Sequence, residues 1–317
     1  MLKKIRYFPI TFFSVVLGML GFTLSLHKLE QTFAWPFHLS SYALYFSIFL
    51  FLLITGFYTL KIILYPDECK KDLAHPVRIN FFPLFSIILL LMSILFLGKN
   101  LFISQVLWTI GATIHLYFTL FIVSKWMHHE FNIVHINPSW FIPAVGNILV
   151  PIAGVHHANP EISWFFFSVG IVFWVVLFTI VFYRIIFHHP IMQKLLPTFF
   201  IMIAPPAIGM ISYTTLTNSN IDAFAHILYY FSFFIVALLF FQIRYFYSIP
   251  FYLSWWAYSF PLAAFISSTL VMYQKTHIQF FSYIALALFA FLTLLISLLI
   301  WKTLQLIYQQ KICVQDE

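Results

Sequence analysis

Ten apolar stretches, each as long as a bilayer crossing or close to it, follow one another along this chain with only short polar breaks between them. A spanning helix needs about 20 mostly apolar residues. The stretches fall at 8–27, 39–64, 79–97, 100–123, 139–154, 161–186, 195–216, 221–246, 251–273 and 278–304. Breaks such as Asp67-Glu68-Cys69-Lys70-Lys71-Asp72 and Asn159-Pro160-Glu161 leave no room for a second domain. The expectation is therefore one all-α integral membrane domain over residues 1–317. Only 8% of the residues are charged and the mean hydropathy is +0.96, against about 25% charged in a soluble domain. So few charges cannot clothe a water-facing surface, and lipid is the expected solvent.

The Lys and Arg residues write the orientation. With ten spans and the N-terminus inside, one side holds Lys3, Lys4, Arg6, Lys61, Lys70, Lys71, Arg78, Lys125, Arg184, Lys194, Arg244, Lys302 and Lys311. The other holds Lys28, Lys99 and Lys275. Thirteen against three predicts both termini in the cytoplasm. The net charge of +7 follows this punctuation, and nucleic-acid binding is not expected. The first stretch begins like a secretory signal peptide but runs on to Leu26 without a small-x-small cleavage site, so it reads as a retained helix.

Proline divides the stretches into two kinds. The odd-numbered ones carry Pro9, Pro83, Pro143 with Pro151, Pro205 with Pro206, and Pro261, whereas the even-numbered ones have no internal proline. Glycine leans the same way, at Gly18, Gly21, Gly146, Gly154 and Gly209. The leading prolines stand 74, 60, 62 and 56 residues apart, the spacing of repeated helical hairpins. Proline frees a carbonyl that lipid cannot satisfy, so such helices belong where protein or water meets the need. The pattern predicts five hairpins, with the odd helices in an inner ring around a central pore.

No Asp or Glu lies well inside a stretch, and ion-coupled transporters usually keep one there. Nor is a buried Lys or Arg expected to act as a fixed anion site. Such a pore has neutral walls and selects by dehydration or at an aromatic constriction. Lining or kink candidates are Thr11, Ser14, Gly18, Gly21, Pro83, Pro143, Gly146, Asn147, Pro205, Gly209, Ser212, Ser259 and Pro261.

Other chemistries find little support. Cys69 and Cys313 make no disulfide framework or metal motif and are read as reduced. His128, His129, Glu130 and His135 match no standard zinc spacing. His115 and His226 fit a haem only as a distant option, since both sit on even segments where packing explains them. Gly18-Met19-Leu20-Gly21 has no strand before it and is no phosphate loop. No catalytic set is apparent, and neither a cofactor nor a metal is expected.

Four stretches carry a family likeness: His75-Pro76-Val77-Arg78-Ile79-Asn80-Phe81-Phe82, Asn137-Pro138-Ser139-Trp140-Phe141-Ile142-Pro143-Ala144-Val145-Gly146-Asn147, Ala204-Pro205-Pro206-Ala207, and Trp255-Trp256-Ala257-Tyr258-Ser259-Phe260-Pro261. In order and placement they resemble the tellurite-resistance/dicarboxylate transporter family, which includes the plant guard-cell slow anion channels. The resemblance implies a homotrimer of five-hairpin subunits in a bacterial inner (plasma) membrane. It also implies that a phenylalanine of the ninth helix plugs the pore, which by motif position is Phe260. The chain departs from the family at Val16, where a proline usually precedes Leu-Gly, and it lacks the long regulatory tails of the plant channels.

Two transport readings follow. One is a passive channel for chloride, nitrate or similar small anions. The other is a carrier or exporter for C4-dicarboxylates, sulfite or tellurite-type oxyanions. A membrane oxidoreductase using the histidines is the reading from another class.

Overall fold

A computed structural model describes residues 2–218 and 221–313; the side chain of Lys3, and Asp316 and Glu317 from the charge inventory, lie outside the described residues. Among the described residues the chain is helical, with no strand. Eight helices are long and apolar enough to cross a membrane: α1 (Ile10–Thr32), α2 (Leu39–Leu64), α3 (Arg78–Phe96), α4 (Leu101–His128), α6 (Pro160–Phe187), α7 (Gln193–Thr217), α8 (Ala223–Phe241) and α10 (Gln279–Tyr308). Between them, α5 is a shorter apolar helix (Pro138–Gly154). The ninth segment, α9, joins a 3-10 turn (Leu253–Tyr258) to a helix (Ser259–Thr276).

The proline pattern is written into the backbone. Each odd-numbered helix contains a 3-10 stretch: Ile10–Phe12, Arg78–Phe81, Pro138–Trp140 with Gly146–Leu149, Gln193–Ile203, and Leu253–Tyr258. Proline has no N–H to give and crowds the preceding turn, and a local 3-10 adjustment lets the freed groups find other partners. The even-numbered helices run without such interruption. Asn100, Asn159 and Asp222 cap three of them, their side chains accepting from Ile103, Glu161 and Ala225 N–H, which relieves the open donors of the first turn.

Burial separates the two sets. In α1, α3 and α7, 72%, 83% and 78% of the apolar stretch is buried, against 28%, 33%, 33%, 39% and 22% in α2, α4, α6, α8 and α10. Every residue of α5 except Gly146 and Ile152 is buried, as is the run 258–270 of α9. The odd helices touch in sequence, α1 on α3, α3 on α5, α5 on α7, α7 on α9, and α9 back on α1. Each also packs against the even helix that follows it. The exposed surface of the even helices is correspondingly apolar, with Phe49, Phe102, Val172, Phe234 and Leu294 among its large side chains.

Among the described residues two cations are buried, Lys61 and Arg184, each 3% exposed. Lys61 Nζ stands 2.5 Å from Asp72 Oδ2 and donates to the Phe8 carbonyl at 2.9 Å. Arg184 donates to the carbonyls of Ile133 (3.0 Å) and His189. Phe8 and Ile133 come from distant parts of the chain, and Asp72 sits on the connecting helix Pro66–Ala74, so the apolar pattern alone gave no sign of them. A buried charge persists only when it is paired in this way.

Candidate functional site

Where the odd helices meet, they enclose a cavity of about 80 Å³. Its wall takes Ser14 and Leu17 from α1, and Phe81, Leu84 and Ile87 from α3. Phe141, Ile142, Val145 and Gly146 of α5 continue it, followed by Ala204, Pro205 and Ile208 of α7. Trp256, Ala257, Phe260 and Pro261 of α9 complete it. No even helix contributes to this wall. Ser14 brings the one hydroxyl, and that group is already turned back to the Thr11 carbonyl at 2.5 Å. A charge entering such an apolar space without partners meets a steep desolvation cost.

Phe260 is 8% exposed and borders this space. Its position depends on how closely α1 approaches α9. A Cβ built on Gly18 would meet Ser259 Oγ at 2.2 Å and Trp256 at 2.8 Å. One built on Gly21 would meet Phe260 Cα and Cδ2, both at 3.1 Å. Two glycines one turn apart thus let the backbones close, as small residues do between membrane helices. Ser259 Oγ donates to the Trp256 carbonyl at 2.6 Å, and Trp256 Nε1 donates to Thr303 Oγ1 of α10 at 3.0 Å, holding the α9 turn that presents the ring.

The other candidates lie elsewhere. Asn147 is buried but turned toward α4, donating to Thr119 Oγ1 (2.9 Å) and to the Ala144 carbonyl. Thr119 Oγ1 in turn lies 2.7 Å from the Pro143 carbonyl, which is how α4 meets the need created by the broken helix α5. Pro83 precedes the α-helical part of α3. Gly209 faces Ile171 and Leu228 of the even helices, and Ser212 is buried without borrowing a partner. Thr11 borders a different space, described next. Sequence reasoning did not single out Trp256 or the aliphatic wall; Trp256 stood inside a quoted motif, but nothing marks Leu17 or Ile208 among so many apolar residues.

At the end where the odd helices begin lies a second, polar cavity of about 490 Å³. Arg6, Lys61, Arg78, Lys194 and Lys311 reach it, with Glu68, Asp72, His75 and His135 between them. Arg6 pairs with Glu68 at 2.7 Å, and Arg78 Nη1 lies 3.0 Å from Asp72 Oδ1. His75 Nδ1 accepts from the N–H groups of Val77 (3.1 Å) and Arg78 (3.3 Å). Desolvation first, then the charges of Arg78, His135 and Lys194, hold its pKa below the usual histidine value.

The histidines make contacts of an ordinary kind. His115 is fully buried, its Nδ1 2.9 Å from Ser86 Oγ and its ring against Gly146. Because Ser86 Oγ already donates to the Pro83 carbonyl, His115 Nδ1 carries the proton in that pair. His226 bonds the Asp222 carbonyl of its own helix. Among the described residues no group of three or more His, Cys, Asp or Glu is placed to hold a metal ion.

Comparison with known proteins adds a further finding. The family model described as voltage-dependent anion channel (SLAC1) matches residues 7–304. An uncharacterized transporter of Methanocaldococcus jannaschii is 28% identical over 290 residues, covering 83% of each chain. The S-type anion channel SLAH2 of Arabidopsis thaliana is 29% identical over 276 residues, 83% of this chain and 52% of the plant protein. The tellurite resistance protein TehA homolog of Haemophilus influenzae is 26% identical over 309 residues, 93% of this chain and 90% of its own.

Proposed function

The chain belongs to the voltage-dependent anion channel (SLAC1) family, and from that premise we propose that it is a membrane channel for small anions such as chloride or nitrate, with Phe260 as its gate. The observation that carries this reading is the central cavity, whose wall comes from all five odd helices and from no even one. In this reading ten helices form five hairpins, the odd ones ring the pore, and residues 1–317 make one domain. The contacts that run from α1 through α9 and back support the ring.

Conduction requires the apolar constriction to wet. Removing an aromatic ring from it, or swinging the ring aside, widens the path and lowers the dehydration barrier. Selectivity would come from that barrier and from the basic mouth, whose positive potential gathers anions before they enter. The mouth holds five of the basic residues that the positive-inside count assigns to the cytoplasm, which supports cytoplasmic termini. We propose the inner (plasma) membrane, a homotrimer, and transport without catalysis or cofactor.

The test is current through the purified protein in planar bilayers under a chloride gradient, wild type against Phe260→Ala. Conductance at least tenfold higher in the variant, with a reversal potential that follows the chloride gradient, supports the gated pore. A second reading, a carrier for tellurite-type oxyanions, sulfite or C4-dicarboxylates, is favoured by the relative named for tellurite resistance. Saturable uptake into liposomes with no current in either protein would select it.

A further inference from the structure

Beside the central cavity, and sharing Trp256 with it, runs an apolar groove of about 450 Å³ between the start of α1, the outer helix α2 and the end of α10. This size is within the roughly 300–1,000 Å³ usual for ligand sites. Its walls are side chains such as Phe8, Leu53, Phe57, Leu304 and Ile307. Polar groups gather at one end, where Lys4 Nζ donates to Gln310 Oε1 at 3.0 Å. Lys311, the next residue after Gln310, lines the basic mouth, so this end of the groove opens on the positively charged side of the molecule.

We infer that the groove binds one acyl chain of an anionic phospholipid, with Lys4 holding the phosphate of its headgroup. The body of the groove lies at the depth of the spanning helices, where its apolar walls need an apolar filling. Its charged end matches a lipid of the negatively charged cytoplasmic leaflet, where basic pockets between helices select anionic headgroups. A zwitterionic lipid supplies the same tail and no net charge for Lys4 to meet.

The far wall gives the site a consequence. Trp256 borders both this groove and the central cavity, and Thr303, which accepts its indole N–H, lines the groove as well. Trp256 stands one helical turn before Phe260. A lipid tail in the groove therefore packs against the back of the turn that presents the ring, and its presence favours the seated position. This regulatory half rests on Phe260 as the gate; the binding half does not.

The experiment measures lipid retention by native mass spectrometry on the purified protein, offered phosphatidylglycerol or phosphatidylcholine of the same chains. Wild type should keep phosphatidylglycerol by about fivefold over phosphatidylcholine, the worth of one Lys near a charged headgroup. Lys4→Gln should abolish that preference and still bind both. Leu53→Trp, which fills the groove from its lipid-exposed rim, should lower retention of both. Equal retention by the wild type, or unchanged retention in Leu53→Trp, overturns the site. So does a Leu53→Trp protein that changes its oligomeric mass and keeps its lipid, since a second copy would then be the occupant. Chloride efflux from vesicles of each lipid tests the regulatory half separately: wild-type efflux should fall in phosphatidylglycerol and Leu53→Trp should not respond. Lipid bound without any effect on wild-type efflux overturns that half alone.

Discussion

Gly21 faces the backbone of Phe260 so closely that a methyl group on it would stand 3.1 Å from the Phe260 Cα and 3.1 Å from its ring. Ala263 Cβ closes the same space at 3.2 Å. The seat of the gate candidate is thus set by a residue on another helix.

Gly21→Ala should push the ring from this seat. We expect overpacking of about 1–3 kcal/mol and a several-fold rise in resting conductance. The rise should vanish when Gly21→Ala is made in the Phe260→Ala background, because both act through one side chain. Single-channel recording of the four proteins decides it; an equal rise in both backgrounds would show that Gly21 acts through helix packing alone.

Asp72 neutralises Lys61 in a buried pair and also meets Arg78. Asp72→Asn leaves a buried ammonium without its counter-charge, at a cost of about 3–5 kcal/mol. Thermal unfolding in detergent should show a large loss for this variant. Lys61→Met combined with Asp72→Leu should recover most of it, and no recovery would contradict the pairing argument.

His75 gives the mouth an acid sensitivity with a defined sign. Its folded pKa is depressed, chiefly by desolvation, so the unfolded chain takes up this proton first, near pH 6.5. Stability from this group is therefore complete above about pH 6.5 and declines as pH falls from there toward the lower folded value. Protonated Nδ1 can no longer accept from Val77 and Arg78. His75→Asn keeps an acceptor that does not titrate; its melting temperature should fall less than that of the wild type between pH 7.5 and pH 5.

Gly146 and His115 form a second tight pair. A Cβ on Gly146 would lie 2.5 Å from His115 Cε1 and 2.6 Å from Nε2, so Gly146→Ala must displace a buried ring. We expect a loss of about 1–3 kcal/mol. His115→Ala should relieve most of the cost of Gly146→Ala, leaving only the contact with Ile87 Cδ1 at 2.9 Å, and unfolding curves of the double-mutant cycle measure the coupling.

The resemblance to a known family was already legible in four short motifs, because they place Pro, Trp and Asn at helix starts where backbone geometry is demanding. The Asn137 side chain, for instance, accepts the Ser139 N–H at the head of α5. The wall of the cavity was legible only in part: Ser14, Gly146, Pro205, Phe260 and Pro261, named from the sequence, line it. Of the hydroxyls expected on it, Ser14 and Ser259 bond their own backbones and Ser212 is buried with no partner, while aliphatic side chains that nothing distinguishes in the sequence do most of the lining.

Sequence alone determined that this chain is a helical membrane protein, because charge density and apolar run length are local quantities and lipid imposes its demand on each stretch separately. It also determined which helices break, since proline acts on its own turn. Only the tertiary structure decided that Lys61 meets Asp72, that Gly21 seats Phe260 and that Trp256 borders two cavities. Each is a meeting of residues from different helices, and a pattern read along one strand of sequence carries no distance between helices.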